Sequence, residues 1–298
     1  MASRQVRWRL MTDLRTHPGW NRQQALGLII LVFASYASVL ATAGWIWDDP
    51  EYVTRNPVLN GAIENGLWAI WSDTTATPQY YPLVHSSFWL EWRIFPSVLI
   101  TENGITTRQP DPTGFHLTNV ILMAATALVF WRVLLSLRVP GAILAAALFA
   151  VHPINVESVA WVTERKNMLS ALFALASVLC YLRFAGIGSH QNQEGSKKTY
   201  LFTMLLFVCG LLSKTVIAFV PPALLLLIWW QRPEQLKRHL LPLLPLLGLG
   251  VVAGLNTARI EIEQVSAGIQ YFNLSLLERF LLAGQVVWTY FLHVIAPF

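Results

Sequence analysis

Asp48 and Asp49 are adjacent carboxylates placed directly after a tryptophan-rich apolar run and directly before a proline, in Trp45-Ile46-Trp47-Asp48-Asp49-Pro50-Glu51-Tyr52. Paired acids suit proton transfer, because burial beside a second carboxylate raises the pKa of one of them toward that of a general base. Residues 152–167 carry the complementary groups: His152-Pro-Ile-Asn-Val-Glu157, then Thr163-Glu164-Arg165-Lys166-Asn167. If residues 154–167 are helical, Glu157, Trp161, Glu164 and Arg165 share one face. Lys214 interrupts a later apolar run, at Ser213-Lys214-Thr215. Arg165, Lys166 and Lys214 would hold a phosphate and stabilise it as it leaves, while a carboxylate takes the proton of an attacking hydroxyl. The chemistry these residues suit is group transfer from a lipid-linked phosphate donor.

Each residue also has a plainer reading. Asp48 and Asp49 can simply begin a polar loop, and Arg165 and Lys166 can be interfacial anchors. Lys214 can be a snorkelling loop residue. His116 and His152 can be hydrogen-bonding groups at helix ends, and Glu157 an ion-pair partner of Arg165. No His/Cys/carboxylate spacing argues for a metal site, and no glycine loop for a bound nucleotide. Cys180 and Cys209 fall inside apolar runs and suggest neither a disulfide nor a metal ligand.

The elements that position these groups are membrane helices. The 298 residues are 55% hydrophobic and 12% charged, about half the charge of a soluble domain. Apolar runs of this length predict an all-α, polytopic membrane bundle, since lipid offers no partner to unpaired backbone groups. Residues 1–24 hold Arg4, Arg7, Arg9, Arg15 and Arg22 against Asp13, which predicts a cytoplasmic basic N-terminus. The transmembrane module then fills residues 25–298. About eight spans are expected: 25–47, 115–136, one from 141 past 151, 168–184, a hairpin within 200–230, 240–255 and 277–296. Residues 48–114 form a long extracytoplasmic loop, in which 80–95 reads as an amphipathic helix lying in the interface. The polar groups then share the extracytoplasmic face. The cations lie in loops between spans, so they are a topology signal and do not point to nucleic acid. Asn273-Leu274-Ser275 matches a glycosylation sequon, a pattern common by chance. The chain stops at Pro297-Phe298, at a span boundary, which suggests a fragment or truncated reading frame.

Trp47-Asp48-Asp49 with Asn56-Pro57, Phe115-His116-Leu117-Thr118-Asn119, the whole run 152–167, and Ser213-Lys214-Thr215 together resemble one family. The chain is similar to the membrane portion of the transmembrane-and-tetratricopeptide-repeat O-mannosyltransferases, which are C-class, polyprenyl-phosphate-dependent glycosyltransferases. That resemblance implies a polyprenyl- or dolichyl-phosphate sugar as donor, usually mannose, and inverting transfer with an acid of the first loop as base. Asp48 matches the first acid, with Asp49 second. Arg165 and Lys214, then Lys166 and His152, are implied for the donor phosphate. Glu157, His116, Asn119, His85 and Glu164 are supporting residues. The implied acceptor is a protein hydroxyl or, in lipid-modifying relatives, a glycolipid; no cofactor is implied, and a divalent ion is left open. Two departures stand out. Tyr81 occupies the place before Pro82-Leu83 where relatives often carry a basic residue, and no tetratricopeptide repeat appears in these residues. A transporter or non-catalytic scaffold is the competing reading. A transporter predicts ionisable groups at mid-membrane depth and an inverted repeat.

Overall fold

The computed structural model describes residues 21–42, 44–102, 105–190, 195–265 and 274–296. The basic segment up to residue 20, Asn273 of the sequon and the final Pro297-Phe298 lie outside the described residues. The protein is mostly helical: α1 Arg22–Ser35, α2 Ala37–Ala41, α3 Pro57–Asn60, α4 Gly66–Ser72, α5 Pro82–Ile94, α6 Pro112–Ser136, α7 Ala142–Val151, α8 Val156–Ala160, α9 Arg165–Phe184, α10 Lys197–Leu211, α11 Val220–Gln231, α12 Leu236–Ile260 and α13 Leu276–Ile295. Polar residues ahead of several helices cap them. Asn21 accepts from the Gln23 amide at 2.8 Å, Asp111 from Thr113 at 2.8 Å with Pro112 in the first turn, and Ser196 from Lys198 at 3.1 Å.

Two expectations are corrected. The fold is not purely helical, because β1 Ser97–Glu102 pairs antiparallel with β2 Ile105–Pro110, Ser97 opposite Pro110 and Glu102 opposite Ile105. Both strands are rich in β-branched residues, and Asn103-Gly104 between them is a hairpin sequence. The second correction concerns the spans. Among the described residues, three helical stretches are long and apolar enough to cross a membrane, Pro112–Ser136, Arg165–His190 and Pro233–Glu263, and a fourth if Ala142–Val151 and Pro153–Ala160, bent by 52°, count as one. Two of the other apolar runs are cut into short pieces. Residues 25–47 break at Tyr36, and residues 200–230 break ahead of the 3₁₀ turn Thr215–Phe219. A 14-residue helix such as α1 rises only about 21 Å against a hydrocarbon core of about 30 Å.

Packing divides into three clusters. α1, α6 and α7 share Val32, Met123, Trp131 and Ala146; α9 to α12 share Tyr181, Phe207, Leu224 and Leu246. Between helices in lipid such contacts hold by close packing and dispersion, because lipid tails are as apolar as leucine. The third cluster joins the 48–114 segment to the head of α6 through Val53, Leu59, Ile70, Phe88 and Phe115. The close approach of α3 and α4 requires glycine at position 66, where a Cβ would meet the Val58 carbonyl oxygen at 2.1 Å. This cluster is the platform on which the acidic pair sits.

Candidate active site

The two acids have separate environments. Asp49 is fully buried. Its Oδ1 accepts from the Thr163 amide at 2.9 Å and the Thr163 hydroxyl at 2.6 Å, and its Oδ2 from the Ile46 amide at 3.0 Å. The Asp49 amide in turn donates to the Ile46 carbonyl at 2.9 Å, closing a tight turn over residues 46–49. Asp48 sits inside that turn, with Oδ1 buried and without a hydrogen-bond partner. Burial raises its pKa above the usual carboxylate value; nearby Lys166 opposes the rise, and Asp49 and Glu164 reinforce it. Trp47, just before it, lies at φ 48°, a left-handed conformation costly for a bulky residue. Its ring packs edge-on against Trp161, centroids 4.6 Å apart.

The stretch 152–167 is not one helix. α8 ends at Ala160, a turn follows, and α9 begins at Arg165, so the predicted shared face of Glu157, Trp161, Glu164 and Arg165 does not form. Arg165 has 0% exposure. It donates Nε to Asn119 Oδ1 at 2.8 Å, Nη1 to Ser87 at 3.1 Å and to Glu91, and Nη2 to the Phe115 carbonyl at 2.9 Å. Its guanidinium also lies over the Phe88 ring, 4.5 Å from the centroid. This is a structural hub tying α5, α6 and α9 together, with the guanidinium implied for a donor phosphate engaged by partners within the protein. Asn119 completes the hub by donating to the carbonyls of Val159 and Trp161, each at 3.2 Å.

Two lysines, one buried and one half-buried, gather around Glu164. Lys166 Nζ pairs with Glu164 at 2.7 Å, Lys214 Nζ lies 3.9 Å from the same carboxylate, and Lys214 donates to Asn167 Oδ1 at 2.5 Å. The break between α10 and the 3₁₀ turn is what carries Lys214 here, since the amides of Ser213 and Lys214 both donate to the Gly210 carbonyl. Burial pushes the Lys214 ammonium below its ordinary pKa, with Glu164 opposing and Lys166 adding to the fall. From Asn167 an open apolar groove of 340 Å³ runs between α9 and the 3₁₀ turn with α11, lined by Ala171, Ala174, Val216, Phe219 and Val220.

Beside Asp48, Tyr52 stacks on His85, centroids 5.8 Å and planes 14° apart, and Lys166 Nζ lies 5.6 Å from the Tyr52 ring centroid. His85 is buried, and burial takes its pKa down to about 3 against the opposing effect of a hydrogen bond to the Gln79 backbone. Gln79 Nε2 donates to Glu261 Oε1 at 3.0 Å, joining the first long connection to the end of α12.

Residues 111–255 match the family described as dolichyl-phosphate-mannose-protein mannosyltransferase. Protein O-mannosyl-transferase Tmtc1 of Drosophila melanogaster is 32% identical over 63% of this chain and 20% of its own length. Tmtc2 of the same organism is 31% identical over 68% and 21%, and human TMTC3 is 29% identical over 56% and 18%. Over these stretches the chain is similar to proteins named protein O-mannosyl-transferases. It spans about a fifth of the length of these curated relatives. No solved structure matches it.

Against these O-mannosyl-transferase relatives, the family match covers Glu164, Lys166, Asn167 and Lys214, while Asp48, Tyr52 and Gln79 precede it and Glu261 follows it. The remaining predicted residues sit apart from that cluster. His116 bonds the Gly44 carbonyl at 3.0 Å, bracing the approach to the acidic turn. His152 accepts from the Ile154 amide at 3.2 Å through Nδ1, and its Nε2 meets the Val294 carbonyl at 3.0 Å, so both ring nitrogens serve the bend after α7 and its contact with α13. Glu157 is exposed and forms no ion pair with Arg165. Sequence reading missed Tyr52, Gln79, Glu91 and Glu261 as site or hub residues. Glu91, a lone acid in a tryptophan-rich apolar helix, carried a readable signal, because a buried charge demands a partner.

Proposed function

We propose that the chain is the membrane module of a glycosyltransferase that moves a sugar, mannose, from a polyprenyl- or dolichyl-phosphate donor to a Ser or Thr hydroxyl of a protein, with inversion. The observation that carries this is the contrast between Asp48 and its surroundings. A carboxylate with a buried, unpartnered oxygen and a raised pKa stands beside the Glu164–Lys166–Lys214 cluster. In this reading Asp48 takes the proton of the acceptor hydroxyl as that oxygen bonds to the sugar's anomeric carbon. The bond from that carbon to the lipid phosphate breaks, and Lys214, with Lys166 behind it, takes up the charge of the departing phosphate. The apolar groove starting at Asn167 suits the prenyl chain next to the phosphate. Charged groups of this cluster belong on the extracytoplasmic face, with the N-terminus cytoplasmic.

The test is transfer from radiolabelled polyprenyl-phosphate mannose to an acceptor protein in membranes holding this chain. The expected result is transfer by the parent and a loss of about a hundredfold or more in Asp48→Asn, the usual contribution of a general base. A correctly inserted parent that transfers nothing from any lipid-linked sugar overturns the reading.

A further inference from the structure

We infer that Gln79 and Glu261 recognise the hydroxyls of the sugar on the donor, forming a specificity wall between the first long connection and the end of α12. This rests on the glycosyltransferase reading above and assigns a part of the site that the reading leaves empty. Gln79 and Glu261 are 182 positions apart and join through a single hydrogen bond of 3.0 Å. The backbone around Gln79 is pinned, because its carbonyl accepts from the Thr77 hydroxyl at 2.8 Å and the Tyr81 amide at 3.0 Å. With its amide nitrogen committed to Glu261, the orientation of the Gln79 side chain is set, and its Oε1 is buried without a partner. A buried acceptor left open in this way costs stability unless a donor meets it. Glu261 has a second carboxylate oxygen beside it. Two neighbouring acceptors, one neutral and one charged, match the two donor hydroxyls of a vicinal diol.

Placement agrees with that chemistry. Tyr52 is a shared neighbour of Asp48 and Glu261: both carboxylates favour its protonated phenol, as Glu261 and Glu164 do for Tyr81. The same Tyr52 ring stands near Lys166 and so near the phosphate side of the cluster. Tyr52 is thus the common neighbour through which the Gln79–Glu261 pair relates to Asp48 and Lys166. Hydrogen bonding of this kind discriminates strongly, because a sugar that lacks or misplaces a hydroxyl leaves buried polar groups unpaired.

The experiment is equilibrium binding of two probes, polyprenyl-phosphate mannose and bare polyprenyl phosphate, to the purified full chain in lipid nanodiscs. The parent is compared with Glu261→Gln and Gln79→Ala, and folding is checked by thermal unfolding. The expected result is that the parent prefers the mannosylated lipid and that each variant loses about tenfold or more of that affinity, with affinity for the bare lipid unchanged. Equal losses for both lipids, or no loss, overturn the assignment and leave a structural interlock, while the glycosyltransferase reading stands. A parent that binds both lipids equally also overturns it. A folded parent that binds neither lipid overturns the reading and this inference together. Two independent variants, one of them isosteric, keep the test open should either fail to fold.

Discussion

Asp48 and Asp49 are consecutive in the chain, yet Asp49 spends both oxygens on Thr163 and Ile46 while Asp48 keeps a buried oxygen unpartnered. One acid builds the turn that presents the other. Asp49→Ala strands the Thr163 and Ile46 amides, and should cost about 2–4 kcal/mol of stability. Asp48→Asn should leave the melting temperature unchanged while transfer falls by about a hundredfold. Thermal unfolding in detergent and radiolabel transfer, run on both variants, separate the roles. An Asp49→Ala variant as stable as the parent would show that the turn holds without it.

The Arg165–Glu91 pair predicts a different defect. Glu91→Ala leaves a guanidinium of 0% exposure without its counter-charge, a loss in the range of about 3–5 kcal/mol. Arg165→Lys should also be poorly tolerated, because one ammonium cannot serve Asn119, Ser87, Glu91 and the Phe115 carbonyl from a single position. The measurement is the yield and melting temperature of folded protein. Normal yield together with a donor-affinity defect in Arg165→Lys would return Arg165 to the phosphate.

Local patterns were legible in the sequence, and long-range pairings were not. The apolar runs identified a membrane protein, and Lys166, Glu164 and Lys214 were recognisable as charges out of place beside such runs. Nothing local distinguishes Asp48 from Asp49, since the difference lies in Thr163, 114 positions away. The same holds for Arg165 with Glu91 and for Gln79 with Glu261, which meet only when α5, α9 and α12 pack. The span count failed because hydropathy registers an apolar run whether or not its helix is continuous. Tyr36 interrupts its helix without much change in apolarity, whereas the break at Ser213-Lys214 was legible as the hairpin within residues 200–230. The β-hairpin did carry a signal, Asn103-Gly104 between β-branched runs, and a stronger weight on turn chemistry finds it.

The environment of Asp48 fixes a direction for pH dependence. A base must be ionised, and burial raises the pKa of this one, so the rate should fall on acidification at a higher pH than an ordinary carboxylate would give. Lys166 opposes the rise and also neutralises Glu164 at 2.7 Å. Lys166→Met removes both effects and should move the acidic limb to still higher pH. The check is the profile of kcat against pH for the parent and the variant; a limb that stays in place or moves down separates Lys166 from Asp48.

His85 makes a prediction about stability. Its pKa is about 3 in the folded protein, against an ordinary value of about 6.5. Below that ordinary value the unfolded chain binds a proton that the folded one refuses. Stability from this group is therefore present above about pH 6.5 and lost as pH falls toward the folded value. His85→Phe preserves an aromatic ring against Tyr52 and removes the buried titratable group. It should flatten the acidic side of the stability profile, measured as melting temperature against pH. An unchanged slope would mean that another group sets acid lability.

Lys214 should be felt in donor affinity more than in the proton transfer. It reaches the cluster from the break after α10, bonded to Asn167 at 2.5 Å and lying 3.9 Å from Glu164. Losing a charge-assisted bond to a lipid phosphate is worth about 1.5–3 kcal/mol, so Lys214→Met should raise the donor KM by about tenfold to a hundredfold at neutral pH. Burial lowers the pKa of this ammonium. Donor KM should therefore climb on the alkaline side before an ordinary lysine, at about 10.4, would discharge. Lys214→Arg keeps its charge across that range and should shift the climb upward, even if its fork fits the site less well. Initial rates at varied donor concentration across pH, for the parent and both variants, decide this. A donor KM untouched in Lys214→Met would free the phosphate from Lys214 and leave Lys166 as its partner.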